Sequence, residues 1–455
     1  MDPGQATDSP GQGGLTMSTE HTRGGTFTSS MGFILAAVGS AVGMGNIWLF
    51  PYRVGQYGGG AFLIPYFLFV ALFSYVGLSG EFALGRLTGT GSMGSFDYVL
   101  RTKGRRGGAI IGALPLLGVL GIAIGYSVVV GWVLRYTAGS LTGSVLSTDA
   151  QAFFDTLAVS FGSIPWHLIA VGLTVAILIF GVESGIEAIS KFMMPAFFLL
   201  FLIIAIRVAF LPGAAAGYAY LLSPDWSYLL KPETWIMAMG QAFFSLSING
   251  AGMLIYGSYM KPTEDIIHHS VMTAVLDTMA ALLAGFAILP AVFAFNIPPN
   301  SGPPLMFVTL PQVFQKMPAG QLFSFLFFLS VFFAGITSLV NMLEACSEAL
   351  ASRTKLSRRW ATLAVGAVVF GVAVFLEALP DMGTWLDVVT IYIAPFGAVL
   401  GAVLIYWVLG LPAIQAELKK GRTRPIGRLF GPIANLYVVL AGAVVLFGIL
   451  YGGIG

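Results

Sequence analysis

The chain has 455 residues, of which 57% are apolar and only 9% charged. Soluble domains run at about 45–50% apolar and about 25% charged, so this composition excludes a cytosolic enzyme, a disordered chain and a nucleic-acid binder. Twenty-two Lys and Arg against 20 Asp and Glu leave a formal net charge of +2, and the single cysteine, Cys346, excludes a disulfide framework.

Residues 1–22 are rich in Gly, Ser, Thr and Pro and predict a disordered cytoplasmic tail. Beyond them the hydropathy predicts an all-α polytopic membrane protein, since a bilayer core takes about 20 apolar residues per helix. Eleven segments qualify: 31–54, 60–84, 108–136, 165–181, 188–210, 234–258, 270–295, 322–350, 361–378, 386–409 and 432–453. A β-barrel would alternate apolar and polar residues, and runs such as Leu199–Ile206 do not. The first stretch is too long for a signal-peptide core, and no small-residue cleavage site follows it. Between the seventh and eighth segments, residues 300–319 carry Pro303, Pro304, Pro311 and Pro318 and predict an external loop with short helices.

Basic residues orient the chain. Arg86, Arg101, Lys103, Arg105 and Arg106 follow the second segment. Arg353, Lys355, Arg358 and Arg359 follow the eighth, and Lys419, Lys420, Arg422, Arg424 and Arg428 the tenth. All three loops face the cytoplasm if the N-terminus is inside. Residues 139–164, by contrast, hold no Lys or Arg and carry Asp149 and Asp155. An odd number of crossings then puts the C-terminus outside the plasma (inner) membrane.

Two segments are poor helix material at mid-depth. The first contains Gly39-Ser40-Ala41-Val42-Gly43-Met44-Gly45-Asn46, the sixth Phe244-Ser245-Leu246-Ser247-Ile248-Asn249-Gly250-Ala251-Gly252. Close packing of small residues could explain Gly39 and Gly43, but not the adjacent Gly45, Asn46 and Pro51. Non-helical backbone at this depth survives only where it lines a cavity. Breaks in the first and sixth segments divide the chain into two five-helix units, 23–210 and 211–410, followed by a cytoplasmic loop and an eleventh helix over 411–455. An odd repeat length inverts the second unit. Paired broken helices mark a transporter's binding site: half-helix N-termini suit an anion, freed carbonyls a hard cation. Asp277, the only charge in the apolar run Thr273–Phe295, is a further functional candidate.

At these residues the chain resembles the neurotransmitter:sodium symporter family, the LeuT-type amino-acid transporters. The run Gly32–Trp48 is similar to the family's first helix, and Gly58-Gly59-Gly60-Ala61-Phe62-Leu63-Ile64-Pro65-Tyr66 to its second. Gly240–Ser247 resembles the sixth and Phe333-Ala334-Gly335-Ile336-Thr337-Ser338 the eighth. The resemblance implies the LeuT fold, a 5+5 inverted repeat with helices 1 and 6 broken, and symport of an amino acid with two Na⁺ ions. The first ion would be held by Ala41, Asn46, Ser245 and Asp277. The second would be held by Gly39, Val42, Ala334, Thr337 and Ser338. Alone, the two hydroxyls read as bonding a carbonyl one turn back.

The resemblance also implies a substrate site. Tyr126 and the Gly43–Gly45 backbone would take the carboxylate, and carbonyls of Ala41, Phe244 and Ser247 the amine. Phe244 would roof the site. Ile122, Ser247, Ile248, Gly250, Ser338 and Met342 would shape the side-chain pocket, with Ser245 alongside. Gly43, where monoamine transporters carry an acid, implies a substrate that keeps its own carboxylate. Gly250 in place of a bulky aromatic implies room for a large hydrophobic or aromatic side chain; Asn249 or Asn341 could instead serve a polar group. Asp277 supplies the negative charge that chloride supplies in many members, with Tyr66, Gln241 and Ser245 as the shell of that site, which implies chloride-independent transport.

The family's outer-gate arginine is Leu49 here. Arg53, one turn onward, and Asp387 are the candidate pair, with Arg23 and Phe27 at the cytoplasmic gate, where Ser352 replaces an expected acid. Glu81, Glu183 and Glu187 read as loop-anchoring acids, Glu344 and Glu348 as partners of the basic loops, and His268 and His269 as interfacial. Proton coupling through Asp277 is the nearest alternative; a channel or a substrate-sensing receptor on the same fold are others. Beyond the bilayer and an amino acid the sequence names no partner, and the oligomeric state is open.

Overall fold

The computed structural model describes residues 25–296 and 302–453; the predicted tail and Arg23 lie outside them. Helix 1 starts at Ser29, whose side chain accepts from the Gly32 N–H, an N-cap that satisfies a donor the helix cannot. It runs Ser30–Ala41, breaks, and resumes as Gly45–Gln56 at an angle of 61°. Val42 is extended at the break (φ −70°, ψ 116°). Helix 2 (Gly60–Thr88) and helix 3 (Gly108–Thr142) follow, then helix 4 (Ile164–Ile179) and helix 5 (Val182–Ala209). Helix 6 is likewise split, into Pro232–Ser245 and Gly252–Ser258. Ser247 and Gly250 in the gap take positive φ, 52° and 77°, which no continuing right-handed helix allows.

Helix 7 (Ile266–Ala294), helix 8 (Gly320–Arg353), helix 9 (Arg358–Leu376), helix 10 (Leu379–Lys419) and helix 11 (Phe430–Tyr451) complete the bundle. Among the described residues, eight helices are long and apolar enough to cross a membrane, and the bent pair of helix 1 makes a ninth. The other predicted crossings fall on the 16-residue helix 4 and on split helix 6. Within residues 300–319, Leu305–Lys316 is helical. Helices 2, 5 and 10 extend several residues beyond their predicted bounds, because charged ends such as Arg86, Glu187 and Glu417 continue helically in buried surroundings.

Burial orders the layers. Helix 8 has 83% of its most apolar stretch buried, helix 5 only 28%. Helix 8 is therefore the axis, packed against helices 1, 3, 5 and 9. Helix 5 turns Phe192, Leu199, Leu202 and Ile206 outward, as a lipid-facing helix does. Helix 2 crosses the second half of helix 6 at glycines: a Cβ on Gly85 would lie 1.9 Å from the Leu254 carbonyl oxygen, and one on Gly257 2.5 Å from that of Phe82.

One acid, Glu81, and one histidine stand elsewhere than expected, while Glu344 meets the basic loop as expected. Glu81 anchors no loop: it is buried and accepts the Gly250 N–H at 2.7 Å, under the helix 6 break. His269 is buried, not interfacial, with Nε2 2.8 Å from Ser30 Oγ and Nδ1 2.6 Å from the Asp265 carbonyl; His268 stays exposed. Glu187 ties down the start of helix 1, accepting from Thr28 and Ser29 while pairing with Lys191. Glu344 pairs with Arg358, and Glu348 accepts from Thr90.

Candidate functional site

A cavity of about 300 Å³ lies between the two breaks, a size suited to one small molecule. Helix 1 contributes Ala41, Gly43, Gly45 and Asn46, helix 3 Ile122 and Tyr126. Helix 6 contributes Phe244, Ser245, Ser247 and Ile248, and helix 8 Ser338 and Met342. The Tyr126 hydroxyl is buried without a protein partner and stands 2.9 Å from where a Cβ on Gly43 would lie. It is therefore a free donor aimed at the break of helix 1.

Gly250 is absent from that lining. A Cβ there would meet the Gly397 carbonyl oxygen of helix 10 at 2.6 Å. Its bareness serves the positive φ and this close backbone approach, so it makes no room for a side chain. Phe244 lines the cavity, against Gly45, but keeps 37% exposure, so it stands at the rim and does not roof the site in this state.

Behind the cavity, Asp277 draws the two breaks together. Asn46 Nδ2 donates to Asp277 Oδ1 at 2.8 Å, and Ser245 Oγ donates to Oδ2 at 2.6 Å. Asn46 Oδ1 accepts the Gly43 N–H at 3.1 Å. The Tyr66 hydroxyl lies beside Ser245 and Thr278, and Gln241 Oε1 is buried with no protein partner. Burial of a carboxylate without a cation is costly, and this one has only neutral donors around it, so a small hard cation beside it suits the charge balance.

A second oxygen cluster joins helices 1 and 8. Ser338 Oγ lies 2.9 Å from the Val42 carbonyl oxygen, 3.1 Å from that of Gly39 and 3.3 Å from that of Ser40. One hydroxyl proton serves one acceptor, so the cluster stays rich in lone pairs. Thr337 Oγ1 bonds back to the Phe333 and Ala334 carbonyls, the local role expected of it, yet a Cβ on Gly39 would lie 3.0 Å from that same oxygen. Carbonyl and hydroxyl oxygens on unwound backbone could hold an alkali cation.

The model of the sodium:neurotransmitter symporter family matches residues 24–156 and 152–451. The chain belongs to this family. It is a multi-pass membrane transporter, not an enzyme. It is 34% identical to the uncharacterized sodium-dependent transporter YhdH of Bacillus subtilis (strain 168), over 87% of this chain and 90% of that protein. It is 26% identical to a sodium- and chloride-dependent GABA transporter of Drosophila melanogaster, over 70% of this chain and 38% of that longer one. Among solved structures, MhsT in complex with L-phenylalanine superposes with a TM-score of 0.83 at 30% identity, covering 94% of this chain and 99% of MhsT. The fold is thus that of the LeuT-type transporters.

The symporter's cavity reaches exposed Asp387. Leu49, Leu386 and Thr390, all half-buried, line it beside Asp387. The opposite face is shut. Phe27 is buried between Phe33, Tyr256 and Tyr259 and donates its N–H to the Tyr259 carbonyl at 3.2 Å. Lys261 donates to the Thr28 carbonyl at 2.8 Å, and Tyr259 and Arg358 both donate to Glu344. That triad holds the face where the sequence shows Ser352 in place of an acid. Arg53 is buried and donates to the Met237 carbonyl at 3.4 Å, while Asp387 lines the cavity. The walls from helices 10 and 11, apart from Asp387 and Thr390, carry no sequence signal, because they are apolar residues in apolar helices. Glu81's link to Gly250 was equally unreadable, since nothing in the spacing of two residues 169 apart announces it.

Proposed function

We propose that this symporter couples inward Na⁺ flow to uptake of a large hydrophobic or aromatic amino acid by alternating access, without chloride. The observation that carries the proposal is the cavity walled by both helix breaks, with an unpartnered Tyr126 hydroxyl beside the Gly43 backbone. Tyr126 and the Gly43–Gly45 segment receive the carboxylate, and the carbonyls of Ala41, Phe244 and Ser247 the amine. L-phenylalanine in MhsT supports an aromatic side chain here.

Two Na⁺ ions are cargo in this reading. The first sits with Ala41, Asn46, Ser245 and Asp277, the second with Gly39, Val42, Ala334, Thr337 and Ser338. Each charge moved inward yields about 2.3 kcal/mol per 100 mV, so two drive steep accumulation. Asp277 carries the charge that would otherwise need an anion, with Tyr66 and Gln241 as its neutral surroundings. Ions tie helix 1 to helices 6, 7 and 8, substrate bridges the two five-helix repeats, and helices 1, 2, 6 and 7 rock against the rest across eleven crossings. Arg53 and Asp387 gate the outer mouth. The N-terminus, with Arg23 at the inner gate, lies in the cytoplasm of the plasma (inner) membrane and the C-terminus outside.

The test is uptake of the twenty amino acids into proteoliposomes, with Na⁺, Li⁺, H⁺ and Cl⁻ gradients varied in turn. Accumulation of aromatic amino acids that follows Na⁺ and ignores Cl⁻ is expected. Accumulation that follows H⁺ with Na⁺ absent would overturn the coupling.

A further inference from the structure

The cavity has a polar end and an apolar end. Tyr126 and Ser338 stand at the first. Ile122 and Met342 stand one helical turn away on the same helices, about 5.4 Å deeper towards the shut face. A substrate whose carboxylate meets Tyr126 therefore directs its side chain to that deeper end. Two polar side chains line the cavity from the unwound part of helix 6, Ser247 and Asn249; the Ser247 hydroxyl is spent on the Ser40 carbonyl at 3.1 Å, which leaves Asn249. It is half-buried, while Ile248 and Gly250 on either side are buried.

The orientation of the Asn249 amide is settled by what it holds. Its Oδ1 accepts the N–H groups of Ala251 at 3.0 Å and Gly252 at 2.9 Å, capping the second half of helix 6. Only the oxygen can accept those bonds, so Nδ2 is the atom left over, and among the described residues it has no acceptor. Asn341, the other amide of this region, is engaged elsewhere: its Nδ2 donates to the Gly252 carbonyl at 3.0 Å. Asn341 also does not line the cavity.

We infer that Asn249 determines specificity, its Nδ2 donating to an acceptor atom at the far end of the substrate's ring, so that a phenol or a ring nitrogen is preferred over plain hydrocarbon. This rests on the amino-acid reading of the site. A hydrocarbon ring strips water from the N–H donor and returns no hydrogen bond; a buried donor without a partner discriminates by about tenfold to a hundredfold.

The test uses the full chain in proteoliposomes under a Na⁺ gradient. The kcat/KM values for L-tyrosine and L-phenylalanine are compared in the wild type and in Asn249→Ser, a substitution that keeps a capping oxygen and removes the amide. The expected wild-type preference for tyrosine is about tenfold or more, and Asn249→Ser brings the ratio close to one, chiefly through the KM for tyrosine. A measurement on the wild type alone stands beside it: 4-pyridylalanine, with phenylalanine's shape and an acceptor nitrogen, competes better than phenylalanine. Equal use of all three by the wild type overturns the inference, as does a ratio unmoved by Asn249→Ser. Na⁺-driven uptake of neither aromatic amino acid defeats the underlying reading, and this inference with it.

Discussion

Asn46 and Ser245 are 199 residues apart and meet through one carboxylate. Asp277 accepts from both, so the breaks of helices 1 and 6 share a single charge. Its replacement by Asn leaves the shape and removes that charge. Asp277→Asn is expected to lower Na⁺-driven uptake by about tenfold or more, the scale of a lost charge-assisted hydrogen bond, or to make uptake depend on chloride. Uptake measured with and without Cl⁻ decides it; a variant unchanged in both respects would remove Asp277 from the ion site. Asp277 was legible as a lone charge in an apolar run. That Asn46 spends its Oδ1 on the Gly43 N–H was not, because a local backbone bond depends on the shape of the break.

At the scale of elements, one buried junction is cytoplasmic on the proposed topology. Arg86, at the end of helix 2, donates Nε to Glu417 at 2.7 Å, Nη2 to the Glu417 carbonyl at 2.6 Å and Nη1 to the Glu264 carbonyl at 2.7 Å. Both side chains are buried. It thus binds helix 2, helix 10 and the loop before helix 7 to one guanidinium. Breaking a buried pair by removing one partner costs about 3–5 kcal/mol; here Lys420, reaching Glu417 Oε2 at 2.6 Å from an exposed position, offsets part of that, while the two carbonyls lose their buried donor. Arg86→Ala is therefore expected to lower the melting temperature in detergent markedly, whereas Arg105→Ala, an exposed loop residue, leaves it unchanged. Equal melting temperatures would refute the junction's weight. Arg86 and the tenth-helix basic loop were readable as cytoplasmic charges; the pairing across 331 residues was not.

The molecule as a whole is open on the side of Asp387 and shut on the side of Phe27. Rocking between this state and its opposite must expose Thr390 in one and bury it in the other. Cys346 is buried, so a cysteine placed at Thr390 reports access almost alone. Na⁺ is expected to raise labelling of Thr390→Cys by an impermeant thiol reagent, and substrate added with Na⁺ to lower it. Labelling indifferent to both would argue against alternating access, and labelling only from the cytoplasmic side would invert the topology.

The amino-acid order alone determined the membrane class, the places where helices begin and fail, and the family. Hydropathy, glycine clusters and lone charges are local properties that one stretch of chain carries by itself. Only the folded chain decided that Gly250 packs on Gly397 and stays out of the cavity, that Glu81 supports the sixth-helix break and that His269 is buried against Ser30. Those outcomes depend on which backbones approach one another across hundreds of residues, and in helices apolar on every side no periodic pattern records which face meets which neighbour.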